Sequence, residues 1–244
     1  MKNILLPTDF SDNSWNAIKY AIQLFKDETC TFHLLNTYTP IIYNVEYVLG
    51  YPAQFGLGDA IRDTAIKNLD KLKSRIAETF KDNPKHTFTT LPRFNTLVSG
   101  IREFISENKT HLIVMGTKGA TGAQEVLFGS NTVHVFKEIK CPVLAIPSDF
   151  EYEKPLEILF PTDLEIDYDA FHIDLLKQIA IDHNSRVNAL HVSTGKDLTF
   201  KQINNQLKLE TVFKDTPFIY HEFESMNVTD AIDKFQIKAK IYWP

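Results

Sequence analysis

Cysteine is almost absent from this chain: Cys30 and Cys141 are the only two in 244 residues. They lie far apart, form no Cys-x-x-Cys pair and supply no disulfide framework, so reduced thiols are expected. Cys141 opens the apolar run Pro142-Val143-Leu144-Ala145-Ile146, where it reads as a packing residue. Long hydrophobic runs are also missing. The longest are strand-length, and the start Met1-Lys2-Asn3-Ile4-Leu5-Leu6-Pro7 turns acidic at Asp9, too soon for the apolar region of a signal peptide. A cytoplasmic protein without a membrane partner is the expectation. There is no excess of positive charge: a net charge of −5 argues against a polyanion-binding surface, so no nucleic-acid partner is expected. The 8 histidines show no His-x3-His or Cys/His spacing, and no metal site is expected. No Gly-x4-Gly-Lys-Ser/Thr run exists, which excludes a P-loop, and no Gly-x-Gly-x-x-Gly follows the first strand as a dinucleotide fold would require.

What is present is a repeat. Ile4-Leu5-Leu6-Pro7-Thr8-Asp9-Phe10 recurs as Ile158-Leu159-Phe160-Pro161-Thr162-Asp163-Leu164. Both copies then turn helical, with Trp15, Ile18, Ile22 and Phe25 on one face in the first and Phe171, Leu175 and Ile179 in the second. Phe32–Asn36 and Val187–His191 supply a second strand each. The first copy continues through a helix striped by Ile61, Ala65, Leu69, Leu72, Ile76 and Phe80, then a strand near Thr87–Leu91 and a helix around Leu97–Glu107. A strand into Gly116, a helix from about Ser130 to Lys137 and a last strand at Val143–Ile146 complete it. Alternating strands and helices predict an α/β fold, a doubly wound parallel sheet whose ligands sit at the carboxyl ends of the strands.

The acidic, proline-bounded stretch 148–154 reads as a linker between a complete unit at 1–147 and a second at 155–244. In the second, Val228, Ile232 and Phe235 echo Leu97, Ile101 and Phe104. Lys240-Ile241-Tyr242-Trp243-Pro244 then reads as the start of a fourth strand, so this copy is incomplete.

The residues with most to say about function lie between 116 and 130. An apolar run, His111-Leu112-Ile113-Val114-Met115, leads into Gly116-Thr117-Lys118-Gly119, nine further residues, then Gly129-Ser130. Small residues at a strand's carboxyl end let backbone N–H groups approach an anion, and a helix beginning near Ser130 adds unpaired amides and its positive dipole end. This is a phosphate cradle.

Pro7-Thr8-Asp9-Phe10-Ser11 after the first strand, with Gly-x2-Gly-x9-Gly-Ser after the fourth, resembles the nucleotide-binding branch of the universal stress protein family, in its tandem form. The resemblance covers 1–147 and, more weakly, 155–244. It implies a five-stranded sheet in the order 3-2-1-4-5 and an ATP site. On this resemblance Asp9 holds the ribose or the adenine edge, Pro7 shapes the turn beside it, and Thr37 lies against the base. Met115 lines the pocket, Gly116 and Gly119 admit the phosphates, Gly129, Ser130, Asn131 and Thr132 bind them through N–H and hydroxyl groups, and Lys118 is a mobile charge partner. One nucleotide per chain, with Mg2+ accompanying it, is the expected cofactor. The family's use of the fifth strand as a joint implies a homodimer through Val143–Ile146.

The residues leave three functions open: a nucleotide-binding stress-response regulator, a weak ATPase or phosphotransferase on the same site, and a nucleotide-free interaction scaffold. Catalysis is the least supported, because no acidic cluster beyond Asp9 and Asp12 falls at the phosphate end and Glu125 has no partner in the pattern. The scaffold reading draws on the apolar stretch 38–58, with Tyr43, Tyr47, Tyr51 and Phe55. Asp9 also has a bland reading as a helix-capping residue, favoured by its recurrence as Asp163.

Overall fold

β1 (Lys2–Pro7) buries Ile4, Leu5 and Leu6 completely, as an apolar run does when both faces of a parallel strand are covered. It pairs in parallel with β2 (Cys30–Tyr38) on one side and with β4 (Leu112–Gly116) on the other. β3 (His86–Phe94) adds to β2 and β5 (Val143–Ile146) to β4, giving the order β3-β2-β1-β4-β5 that was expected. The structure is a computed structural model and describes residues 1–39, 57–117, 129–148, 150–168, 170–193 and 195–241.

Helices α1 (Asp12–Leu24), α2 (Leu57–Thr79), α3 (Leu97–Glu107) and α4 (Ser130–Glu138) connect these strands. Local chemistry starts two of them: Ser11 Oγ accepts from the Ser14 N–H at 3.2 Å, and Thr96 Oγ1 from the Ser99 N–H at 3.4 Å. Each such cap contributes about 1 kcal/mol. The stripes read from the sequence are the buried faces, Trp15, Ile18, Ile22 and Phe25 on and just after α1, and Ala65, Leu69, Leu72 and Ile76 on α2. The other sheet face packs Leu5, Leu35, Ile113 and Met115 against Ile101, Phe104, Val135 and Ile139 of the α3–α4 side. β3 runs further than the expected 87–91, through Pro92. An edge strand tolerates a residue without an N–H, and among the described residues β3 pairs only with β2.

The chain divides into two units, Met1–Tyr152 and Glu153–Pro244. Pro147, Phe150 and Tyr152 dress the first: Asn16 Nδ2 donates to the carbonyls of Pro147 (3.3 Å) and Phe150 (2.8 Å), and Tyr20 packs edge-on against Tyr152 with centroids 5.2 Å apart.

The second unit holds β6 (Glu157–Pro161), α5 (Ala170–His183), β7 (Arg186–Ser193), α6 (Phe200–Val212), β8 (Phe218–Glu224) and α7 (Val228–Ile241). Its sheet, β6-β7-β8, is all parallel and repeats the order of the first three strands of unit 1. Two expectations are corrected here. α5 buries Ile173 and Ala180, and the half-buried Leu176 packs against the same core, whereas Leu175 and Ile179, also half-buried, are not among the described residues packed on it; the Phe171 side chain lies outside the described residues. Apolar residues surround this helix, so spacing alone does not choose its inner face. Lys240 and Ile241 form the end of helix α7, not the start of a strand. From Val228 onward the chain meets neither Gly nor Pro until Pro244, and Lys, Ala and Gln propagate the helix. Tyr242, Trp243 and Pro244 lie outside the described residues. α6 was not anticipated, although its capping box, Thr199 with Gln202, is written in the sequence.

Candidate functional site

β1 and β4 are adjacent strands whose outgoing connections lead to opposite sides, the point at which an open α/β sheet leaves a crevice beyond its carboxyl edge. A cleft of about 220 Å3 lies there, lined by Pro7 at the end of β1 and Thr8 and Asp9 just after it, Asn36 and Thr37 on β2, Met115 and Gly116 on β4, and Gly129, Ser130, Asn131 and Thr132 at the start of α4. Nine of the eleven residues singled out from the sequence are thus brought together. Lys118 and Gly119 lie outside the described residues, as do Glu125 and most of the apolar 38–58 stretch. Ser14, Asn36 and Leu97 also line the cleft and were missed; Asn36 could have been noticed as the polar residue that follows the buried run Phe32–Leu35.

The Pro7–Ser11 turn is held by its own side chains. Thr8 N–H donates to Leu35 O at 2.8 Å, and Asn36 Nδ2 donates to Thr8 O at 2.8 Å, which pins the turn to β2. Phe10 takes φ 63°, the left-handed region, and its N–H is satisfied by Thr8 Oγ1 at 3.0 Å. Asp9 Oδ1 accepts from the Ser11 N–H at 3.1 Å and from Ser11 Oγ at 2.6 Å. Asp9 therefore orients the residue that caps α1, while it stays exposed at the mouth of the cleft.

On the opposite wall, Gly116 has no room for a side chain. A Cβ there would stand 2.4 Å from Asn13 Nδ2 and 2.6 Å from Asn13 Cγ, so the missing side chain makes space for Asn13 of α1. Gly100 of α3 serves Thr37 in the same way, since a Cβ would meet Thr37 Cγ2 at 2.7 Å. Thr132 is buried, and its hydroxyl donates to Gly116 O at 3.0 Å, tying α4 to the end of β4. That bond uses the hydroxyl proton.

The donors left at this end are main-chain groups. Gly129 N–H donates to Thr117 O and Val133 N–H to Gly129 O, which leaves the N–H groups of Ser130, Asn131 and Thr132 without a protein acceptor among the described residues. Gly129 offers no side-chain cap, unlike Ser11, Thr96 and Thr199 at α1, α3 and α6. Three orphan amides and the positive end of a helix, next to exposed Ser130 and Asn131 side chains, favour an anion.

Unit 2 reproduces the turn, and no counterpart of the cradle falls among its described residues. Leu164 takes φ 60°, its N–H donates to Thr162 Oγ1 at 2.9 Å, Thr162 N–H donates to Leu190 O at 2.9 Å, and Asp163 Oδ1 accepts from the Glu165 N–H at 2.9 Å. His191, in the place of Asn36, bonds to Thr162 O at 2.9 Å.

These features define a tandem, doubly wound α/β protein with a cleft at the switch point of its first sheet. The model of the Universal stress protein family matches residues 1–147, and the chain belongs to that family. It is 30% identical over 148 residues to the universal stress protein MJ0531 of Methanocaldococcus jannaschii, a match that covers 59% of this chain and 81% of that protein. Among solved structures, a universal stress protein from Archaeoglobus fulgidus aligns with a TM-score of 0.69 at 18% identity, over 97% of this chain and 84% of that one. The universal stress protein UspA from Lactobacillus plantarum aligns with a TM-score of 0.50 at 22% identity, over 59% of this chain and 97% of that one. No described helix is long and apolar enough to cross a membrane.

Proposed function

We propose that unit 1 binds one adenine nucleotide per chain, ATP with its Mg2+, hydrolyses it slowly if at all, and uses occupancy as the state read out in a cytoplasmic stress response. The observation that carries this reading is the set of three unpartnered α4 amides, Ser130, Asn131 and Thr132, facing the same cleft as the Pro7–Asp9 turn. Phosphate oxygens complete those amides. Ser130 Oγ and the Asn131 side chain add donors, whereas Thr132 acts through its N–H alone. At the other end Asp9 accepts from ribose hydroxyls, and Thr37 and Met115 form the wall against which the base lies. Among the described residues no group of three His, Cys, Asp or Glu side chains is placed to cage a metal. Mg2+ therefore arrives on the phosphates, as it does where substrate oxygens supply most of its ligands. Slow turnover follows from Asp9, the one carboxylate on the described lining, which is already tied to Ser11. Solved members of the family include one in complex with cAMP and one from Arabidopsis thaliana with AMP bound.

Asn131→Asp tests this reading. A carboxylate in the first turn of α4 favours the helix dipole, so thermal stability holds or rises slightly, while phosphate is repelled. Calorimetric titration with ATP should show at least a tenfold loss of affinity with an unchanged melting temperature. Equal affinity in both proteins would contradict the assignment.

Two copies joining through β5 belong to the same proposal. Val143, Leu144 and Ala145 are half-buried, and among the described residues β5 pairs only with β4. An apolar edge strand of this kind invites a second chain. Light scattering at high micromolar concentration should give a dimer for the wild type and a monomer for Leu144→Asp.

A further inference from the structure

At the edge of unit 1 opposite the cleft, where β3 begins and α1 and α2 end, the two helices part over a recess of about 370 Å3. Its floor is apolar: Ile22 of α1, Ile76 of α2, Phe80 just beyond α2, and Phe88 of β3. Phe88 is stacked on the buried Phe32 with centroids 5.2 Å apart, which fixes its ring. The end of the recess is closed by hydrogen bonds from Asn83 Nδ2 to Lys26 O (2.8 Å) and from His86 Nε2 to Phe25 O (3.0 Å), so the walls exist before any ligand arrives.

The rim is the informative part. Lys26, Lys73 and Lys81 stand around this floor, all exposed, against one carboxylate, Asp82. None of the three ammonium groups has an ion-pair partner among the described residues. Apolar floor and cationic rim together ask for a ligand with an alkyl body and an anionic head. A single chain suits the volume, at the lower end of the roughly 300–1,000 Å3 of small-molecule sites.

We propose that this recess binds a single-chain anionic amphiphile, a medium- to long-chain carboxylate, with its tail on Ile22, Ile76, Phe80 and Phe88 and its head among the lysines. The site stands apart from the nucleotide cleft, and the proposal does not depend on that reading.

Titration of the full chain with octanoate, decanoate and dodecanoate, each below its micelle concentration, tests it by calorimetry and by amide NMR shifts. Affinity should rise by roughly fourfold per methylene until the recess is filled, the equivalent of about 0.8 kcal/mol per buried CH2. The shifts should gather on residues 22–26, 73–83 and 86–88. Ala77→Trp, at an exposed position on the recess wall, should abolish uptake. The triple variant Lys26→Gln, Lys73→Gln, Lys81→Gln should weaken it at least tenfold. All four positions are on the surface, and matching thermal melts check that each variant folds. Dodecanol should bind more weakly than dodecanoate. No saturable uptake of dodecanoate, equal uptake by the Ala77→Trp or lysine variants, or equal binding of dodecanol would overturn the proposal. So would an acidic amphipathic peptide that shifts these amides when dodecanoate does not, since the recess would then dock a protein segment.

Discussion

Residues 8–11 and 162–165 are the same turn built twice, with the same left-handed third position, the same threonine bond to that residue's N–H and the same aspartate bond two residues on. Only the first copy faces a described cradle. In both copies these bonds are made within the turn itself, so Pro-Thr-Asp by itself is evidence of a strand-to-helix turn. The evidence for a ligand sits in what unit 1 has in addition: Gly116 opening onto Asn13, an uncapped α4 and its three orphan amides.

The largest expected difference between the copies concerns the left-handed residues. Leu164 is fully buried in the second core and Phe10 is only partly buried. Glycine relieves the positive φ at both, a gain of about 1–2 kcal/mol. Leu164→Gly also empties a core site, worth about 2–5 kcal/mol, so chemical denaturation should show a net loss there, while at Phe10 the lost packing of the half-buried ring offsets the gain and Phe10→Gly should change stability by no more than about 1 kcal/mol.

Next in size is Gly116→Ala, which forces its Cβ onto Asn13 and should cost about 1–3 kcal/mol as overpacking does. Asn13→Ala in the same chain should recover part of that loss. A glycine needed only by a ligand would show neither effect, and for this reason Gly116 variants are poor probes of binding.

Smaller again, Thr8→Val and Thr162→Val each strand the N–H of the left-handed residue, and each should cost about 1–2 kcal/mol in denaturant titrations. Near-equal costs would support one turn serving two units. A loss confined to Thr8 would break the comparison.

The smallest effect belongs to unit 1 alone. Burial lowers the pKa of His33, whose ring lies 4.9 Å from that of Phe104. Above about pH 6.5 the imidazole is neutral in both states, and below it the unfolded chain binds the proton first. Stability should therefore fall as pH drops below about 6.5 toward the lowered folded value, by less than about 1.4 kcal/mol per pH unit for this group. His33→Gln should flatten that slope.

Much of unit 1 was legible because its signals agree with one another. The run Ile4–Leu6 can only be a doubly covered strand in an alternating α/β chain, and the helix α3 at Leu97–Glu107 and the strand β5 at Val143–Ile146 fall where their periodicities put them. The cleft was legible as a list of residues and not as a division of labour. Spacing could not reveal that Gly116 accommodates Asn13, or that Thr132 spends its proton on Gly116 O, because both are contacts between segments over a hundred or some sixteen positions apart. In unit 2 the signals conflict. α5 is apolar on several sides, and Lys240–Ile241 carries the same apolar and basic residues a strand edge would, so only packing and uninterrupted helix propagation decide them.

The central claim is the asymmetry itself: one nucleotide per chain, held by unit 1. Calorimetric titration of the full chain with ATP and Mg2+ measures it as a stoichiometry, alongside Asn131→Asp in unit 1 and Asp163→Asn in unit 2. The account predicts one site, lost with Asn131→Asp and untouched by Asp163→Asn. Two sites per chain, or one site that fails with Asp163→Asn and survives Asn131→Asp, would contradict it.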